Sequence, residues 1–278
     1  MAAPPPANVR LGGTRMSIMT GTYPPGVPCW ADLGTADPDA SLAFYGTVFG
    51  WHGAPGPGDA DYYTSCAVRG RRVAGIRLLP EPDLPIGWTT YLATDDADAA
   101  VVKAAAEGAE VTYPPMDVLD MGRFALLTDP TGAPFGLWQA RSLVGAELVN
   151  EPGGIVWTEL LTRNTPRALA FYGALFGYAF EDMSAEGFDY HAFSVDDRPR
   201  GGIMGMDANW PDELPAHWHV TFRVADTDAT AGLVRAAGGT VLSEPRNSPY
   251  GRIAQCRDPH GADFAILKSD EHAEDHTG

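Results

Sequence analysis

The chain has 278 residues, 45% of them hydrophobic, which suffices for two domains of ordinary size with buried cores. Its 36 acidic and 19 basic residues give a formal charge of −17, which argues against binding to the phosphate backbone of a nucleic acid. This charge is typical of a solvated acidic surface and is also compatible with a ligand that carries positive charge.

No apolar run approaches the roughly 20 residues that a membrane span needs, and the N-terminal stretch lacks the apolar block of a signal peptide. We therefore expect a cytoplasmic protein without membrane contact. Cys29, Cys66 and Cys256 are far apart and show no CxxC spacing, so neither a disulfide framework nor a thiolate zinc site is predicted. We expect them to be small core residues.

The first predicted elements follow a leader rich in Pro, Ala and Gly, residues 1–25, which we expect to be disordered. A strand is predicted over Trp30–Thr35. A helix is predicted over Pro38–Phe49, because Asp37 suits its N-cap and Gly50 its end. The later elements of this half are strand-like runs at 61–68 and 73–79, a strand at 88–94, a helix at 96–107, and strands near residues 111, 124 and 135.

The second half of the chain repeats the first. The segment Trp30–Trp51 recurs as Trp157–Tyr178 with ten identical positions, and the turns DPTG (129–132) and DPHG (258–261) also correspond. A period of this length indicates two similar domains rather than a stacked array. The predicted division is a first domain at 26–140, a linker at 141–154, a second domain at 155–268 and an acidic tail at 269–278.

The strand, the helix with SLAFYxxxFG at 41–50, and the later DPxG turn resemble the vicinal-oxygen-chelate superfamily of glyoxalases, bleomycin-resistance proteins and dioxygenases. The motifs PxxPCWxDL and DPTGAxxGLWQA are similar to an actinobacterial two-domain group, which includes a mycobacterial culture-filtrate antigen and accessory proteins of anthracycline pathways. The resemblance implies an α+β fold: tandem duplicated domains, each of two βαβββ modules that form a cupped mixed sheet with helices outside.

Members of this superfamily hold a metal ion with a His or Gln on the first strand, a His on the fifth and a Glu on the eighth. In this sequence those positions fall on Trp30, Thr89 and Gly136 in the first half. They fall on Trp157, His219 and Ala265 in the second half. An indole cannot ligate a divalent ion, and only one imidazole remains. We therefore predict no metal and no other cofactor.

Strand alternation places Asp32 on the same face as Trp30, and Glu159 on the same face as Trp157. In the second half His219 could face Glu159, so that this pair is the candidate for acid–base catalysis. A satisfied structural pair is the alternative. His191 is a further candidate for the same cleft, or else a packed histidine.

The tryptophans Trp30, Trp88, Trp138 and Trp157 are candidates for the aromatic walls of a ligand cleft, and core packing is their alternative role. The sequence favours metal-independent binding of a small aromatic molecule, such as an antibiotic or its biosynthetic intermediate, for sequestration or presentation. The alternative is a glyoxalase-like lyase or isomerase, or another pathway-accessory enzyme, that acts in the second cleft. Whether the protein is an enzyme stays open, as does the choice between monomer and homodimer.

Overall fold

The computed structural model describes residues 18, 19, 21–55, 63–81 and 84–269. The prediction of a disordered leader is wrong for its last residues. Tyr23 is buried and its hydroxyl donates to the carbonyl of Ala146 at 2.6 Å, while Ile18 forms a bridge with Leu148. These residues are held because they cover apolar side chains of the first domain. The rest of the predicted leader, residues 1–17 and 20, and the tail beyond residue 269 lie outside the described residues.

Each half forms one mixed eight-stranded sheet, which confirms the predicted α+β fold with duplicated modules. The strands of the first sheet are β1 Pro28–Thr35, β2 His52–Pro55, β3 Tyr63–Val68, β4 Arg71–Leu78, β5 Gly87–Ala93, β6 Glu110–Val118, β7 Gly122–Thr128 and β8 Pro134–Ala140. Those of the second are β9 Ile155–Thr162, β10 Ala179–Asp182, β11 Tyr190–Val195, β12 Arg198–Gly205, β13 His217–Arg223, β14 Thr240–Ser248, β15 Gly251–Arg257 and β16 Asp263–Ser269. In each sheet the first strand of one module pairs antiparallel with the first strand of the next, β1 with β5 and β9 with β13.

The described residues form four helices, α1 Pro38–Phe49, α2 Ala97–Ala106, α3 Thr165–Phe176 and α4 Thr227–Ala236. Local chemistry sets the ends of α1. The side chain of Asp37 accepts from the amide of Ala40 at 3.0 Å, and Gly50 closes the helix at a φ of 72°. Such a cap contributes about 1 kcal/mol. None of the helices in the described ranges has the length and apolarity to cross a membrane.

The hydrophobic cores are shared between the halves. One core joins α1 and its strands to β13, α4 and β16 of the second half. The other joins α2 and its strands to β9, α3 and β12. Each half therefore covers the helix-bearing side of the other.

A pair of buried hydrogen bonds fixes this arrangement. The hydroxyl of Tyr45 on α1 donates to Asp258 at 3.1 Å, and the hydroxyl of Tyr172 on α3 donates to Asp129 at 2.9 Å. Both aspartates open the DPxG turns, where their second oxygen accepts backbone amides, for example those of Ala133 and Ala262. The tyrosine of one repeated motif thus meets the aspartate of the other motif in the opposite half.

Candidate functional site

The helix-free side of the first sheet carries Trp30, Asp32, Tyr63 and Tyr91, and we call it the first cup. Because side chains alternate along a strand, Trp30 and Asp32 of β1 project to this same side. The indole Nε1 of Trp30 donates to the hydroxyl of Tyr63 at 2.8 Å. The hydroxyl of Tyr91 donates to Asp32 at 2.8 Å, and Arg77 Nε donates to the other carboxylate oxygen at 3.2 Å.

The second cup is the corresponding side of the second sheet and carries Trp157, Glu159, Tyr190 and His219. Trp157 Nε1 donates to the Tyr190 hydroxyl at 3.0 Å, and Tyr190 in turn lies near Glu159 and lowers the pKa of its carboxyl group. His219 lies directly opposite Glu159 in the register of β9 and β13, and its Nε2 is 2.9 Å from the side-chain oxygen of Gln255. All four side chains are buried.

A tryptophan, a tyrosine and a carboxylate therefore recur together in both cups. A glycine makes room for each tyrosine: a Cβ at Gly75 would lie 2.2 Å from the Tyr63 oxygen, and one at Gly202 would lie 2.1 Å from the Tyr190 oxygen. Contacts this short are impossible, so each phenol depends on the missing side chain. Because the same cluster and the same glycine occur in both halves, the two cups share one inherited arrangement of side chains.

Burial shifts the pKa values of the two ionisable side chains Glu159 and His219 in the second cup. It raises the pKa of Glu159 to about 7, against a smaller lowering by the Tyr190 hydroxyl. It lowers the pKa of His219 to about 4, with a further lowering by His217, whereas Asp263 and Gln255 act in the opposite direction. The folded protein near neutral pH therefore keeps an uncharged imidazole opposite a carboxyl group that is close to its titration midpoint. In the first cup burial also raises the pKa of Asp32, and Arg77 and Tyr91 oppose that shift.

The residues at the positions implied for metal ligands do not fit a metal ion. Trp30 and Trp157 present indole N–H groups, which donate and cannot ligate. At the eighth-strand position of the first half, a Cβ on Gly136 would lie 2.1 Å from the ring of Tyr91, so that a phenol fills the space of a ligand side chain. Within the described ranges, no group of three or more His, Cys, Asp or Glu residues could hold a metal.

Two of the predicted site residues lie elsewhere. Trp88 faces the helices and packs against Tyr45, Trp51 and Phe222, because its neighbour Thr89 is the residue that pairs opposite Asp32. His191 follows the inward Tyr190 on β11 and therefore points the other way. Its ring lies 3.1 Å from an oxygen of Asp189 outside the cup.

Trp138 does lie on the first-cup side, in the apolar cluster that contains Trp30 and Tyr91. Its indole N–H donates to the carbonyl of Leu143 at 2.9 Å and is thus committed to the protein. A cavity of about 100 Å³ beside it is lined by Tyr23, Thr94 and Gln139 among others. That volume is well below the 300 Å³ at which pockets for drug-sized ligands begin.

Sequence reasoning missed Tyr63, Tyr91, Arg77, Tyr190 and Gln255. The signal for two of them was present. Tyr63 follows Trp30 in the first half at the same distance along the sequence as Tyr190 follows Trp157 in the second half. Arg77, Tyr91 and Gln255 have no counterpart of their own type in the other half, and only the strand register brings them to the carboxylates and to His219.

Comparison with known families gives a match in each half. The model of the Glyoxalase/Bleomycin resistance protein/Dioxygenase superfamily matches residues 154–266, and that of the Glyoxalase-like domain matches residues 30–138. Among its relatives, CFP32 of Mycobacterium tuberculosis, which carries a provisional glyoxylase name, is 44% identical over 88% of this chain and 96% of its own length. The anthracycline biosynthesis protein DnrV of Streptomyces peucetius is 36% identical over 88% of this chain and 94% of its own length.

Solved structures share the fold at low sequence identity. The Mn(II)-bound glyoxalase from Novosphingobium aromaticivorans has a TM-score of 0.63 at 18% identity and covers 88% of this chain and 83% of its own. The 2,3-dioxygenase LapB from Pseudomonas sp. KL28 has a TM-score of 0.63 at 16% identity and covers 88% of this chain and 93% of its own.

Proposed function

The chain belongs to the Glyoxalase/Bleomycin resistance protein/Dioxygenase superfamily, and from that premise we propose that it binds a small aromatic molecule in a cup without the help of a metal ion. One observation carries the proposal. In both halves an indole occupies the place of the first metal ligand, its N–H donates to a tyrosine hydroxyl, and a buried carboxylate follows two residues later on the same strand.

Such a cup offers a ligand flat apolar walls and a few polar groups, which is the usual make-up of a small-molecule site. In the second cup Trp157 and Tyr190 supply aromatic surface, and three methionines of the same cluster, Met183, Met204 and Met206, supply adaptable apolar surface. Glu159, His219 and Gln255 supply the polar groups that would orient the ligand. Relatives named for anthracycline biosynthesis support an aromatic antibiotic or its precursor as the kind of ligand.

The test is calorimetric titration with aromatic alcohols and aromatic amines that contain a single ring, two fused rings or three fused rings. The protein is first dialysed against EDTA, and the titrations are repeated after addition of Mn(II). We expect the same affinity in both states. Binding that appears only with Mn(II) would contradict the proposal. A Trp157→Ala variant should weaken binding at least tenfold, whereas Trp88→Phe, on the helix side of the other sheet, should leave it unchanged.

An enzymatic role in the second cup is favoured by a separate observation. Glu159 and His219 are opposite neighbours whose pKa values are moved in opposite directions, which is typical of groups that exchange a proton with a substrate. In this second proposal Glu159 removes a proton from the ligand and either returns it at another atom of the ligand, as in an isomerase, or gives it to a leaving group whose bond breaks as a double bond forms, as in a lyase. Exchange of ligand hydrogens with deuterated water, followed by NMR, should occur with the wild type and not with Glu159→Gln.

A further inference from the structure

The carboxylate of the first cup has a cationic partner within the chain. Arg77 Nε is 3.2 Å from an oxygen of Asp32, and the side chain of Asp32 is 3% exposed while that of Arg77 is 26% exposed. The Tyr91 hydroxyl donates to the other oxygen at 2.8 Å. Asp32 is therefore neutralised by its own protein, and each of its oxygens accepts a hydrogen bond.

The second cup lacks both of these partners. On β4, Arg77 pairs with Gly34 of β1. The corresponding residue on β12 is Met204, which pairs with Leu161 of β9. On β5, Tyr91 pairs with Trp30 of β1. The corresponding residue on β13 is Thr221, which pairs with Trp157 of β9. In the described part of the chain Glu159 forms no ion pair, and Tyr190 is the side chain that favours its charged form.

We propose that the second cup takes a ligand with a positively charged amine or amidine, which occupies the place that the Arg77 guanidinium occupies in the first cup, with Glu159 as its counter-ion. The inference rests on the ligand-binding function proposed above. Met204 and Thr221 then determine specificity, because they supply neither the guanidinium nor the phenol that Asp32 has as partners in the first cup. Arg77 is the first cup's own substitute for such a ligand.

Physical chemistry favours a cation at this place. A buried carboxylate without a counter-ion is costly, and a charge-assisted hydrogen bond is about twice as strong as a neutral one. Trp157 and Tyr190 are hydrogen-bonded to each other in the same cup as Glu159, and aromatic faces attract cations. The net charge of −17 also raises the local concentration of cations over that of anions.

The experiment uses matched probes that differ in charge alone: benzylamine with benzyl alcohol, and the corresponding naphthalene and anthracene pairs. Calorimetric titration at pH 7.5 should show the wild type binding at least one amine tenfold or more tightly than its alcohol. In Glu159→Gln the ratio should fall to about two. In Met204→Arg, which gives the second cup an internal cation, the amine should no longer bind although the protein remains folded by circular dichroism.

The outcomes separate the two proposals. If the alcohols bind as tightly as the amines, the cation inference is overturned while metal-free binding stands. If no member of either series binds, the proposed function fails and the inference fails with it. Ethylguanidinium provides an independent check, because Arg77→Ala should bind one more equivalent of it than the wild type and should recover thermal stability when it binds. An unchanged stoichiometry would contradict the equivalence of the two cups.

Discussion

Glu159 and His219 should give the protein two opposite dependences of stability on pH that cancel in the wild type. The pKa of Glu159 is raised from 4.5 to about 7, so between these values the unfolded chain has lost a proton that the folded protein keeps. This group therefore lowers the free energy of unfolding as pH rises. The pKa of His219 is lowered from 6.5 to about 4, so in that range the unfolded chain binds a proton that the folded protein does not. This group raises the free energy of unfolding as pH rises.

Each shift of about 2.5 pKa units corresponds to about 3 kcal/mol, at 1.36 kcal/mol per unit. Between about pH 4.5 and 6.5 the two contributions have equal size and opposite sign. Relative to the wild type, Glu159→Gln should become more stable with rising pH, and His219→Gln should become less stable. The difference between the two variants should therefore change by several kcal/mol across this range.

Urea unfolding at pH 4.5, 5.5, 6.5 and 7.5 measures this directly, because all other titrating groups contribute equally to the three proteins. Glu110→Gln, on the exposed edge strand β6, controls for the loss of one negative charge. Three parallel curves of unfolding free energy against pH would refute the reasoning, since they would show that neither group is desolvated in the folded protein.

Three further predictions concern the framework around the cups. Tyr172→Phe should cost about 2–5 kcal/mol in urea unfolding, because it removes the buried partner of Asp129 Oδ2 and of the Trp218 indole N–H, whereas the exposed Tyr113→Phe should cost nothing measurable. Gly202→Ala should displace Tyr190 and destabilise the protein by about 1–3 kcal/mol. The control Gly232→Ala lies on α4, where the added Cβ has no atom within 4 Å, and should stabilise the protein by about 0.5–1 kcal/mol. Equal effects of the two substitutions in thermal unfolding would contradict this prediction. The three buried cysteines should react with a thiol reagent such as DTNB only after denaturation. Burial raises the pKa of Cys66 and Cys256 to about 12 and also raises the pKa of Cys29. Rapid labelling of the native protein would disprove this prediction.

The sequence was sufficient where the determinants are local. The predicted bounds of α1 agree with the structure because Asp37 and Gly50 are adjacent to the helix they terminate. The short strands β2 and β10 were not predicted. The first has the sequence HGAP, whose Gly and Pro disfavour a strand in isolation, and it forms because β3 pairs with it.

The errors in the candidate site have a common cause. Trp88 and Thr89 cannot both face a cup, since neighbours on a strand point to opposite sides, and alternation applied to Thr89 would have excluded Trp88. His191 is excluded by Tyr190 in the same way. The ion pair of Asp32 with Arg77 could not be predicted, because it depends on β4 lying beside β1 in one particular register. The register brings this position of β4 or β12 beside the carboxylate, and the residue type there, Arg77 or Met204, then decides which carboxylate is neutralised.

The sharing of the two interiors has a consequence for how such a chain can change. Since α1 is packed against strands of the opposite half, and α3 likewise, neither half contains a complete interior of its own. Loss of one repeat by deletion would leave the other with an uncovered apolar surface. The half in which Arg77 neutralises Asp32 is therefore needed to complete the interior of the other half, whether or not its own cup binds a ligand.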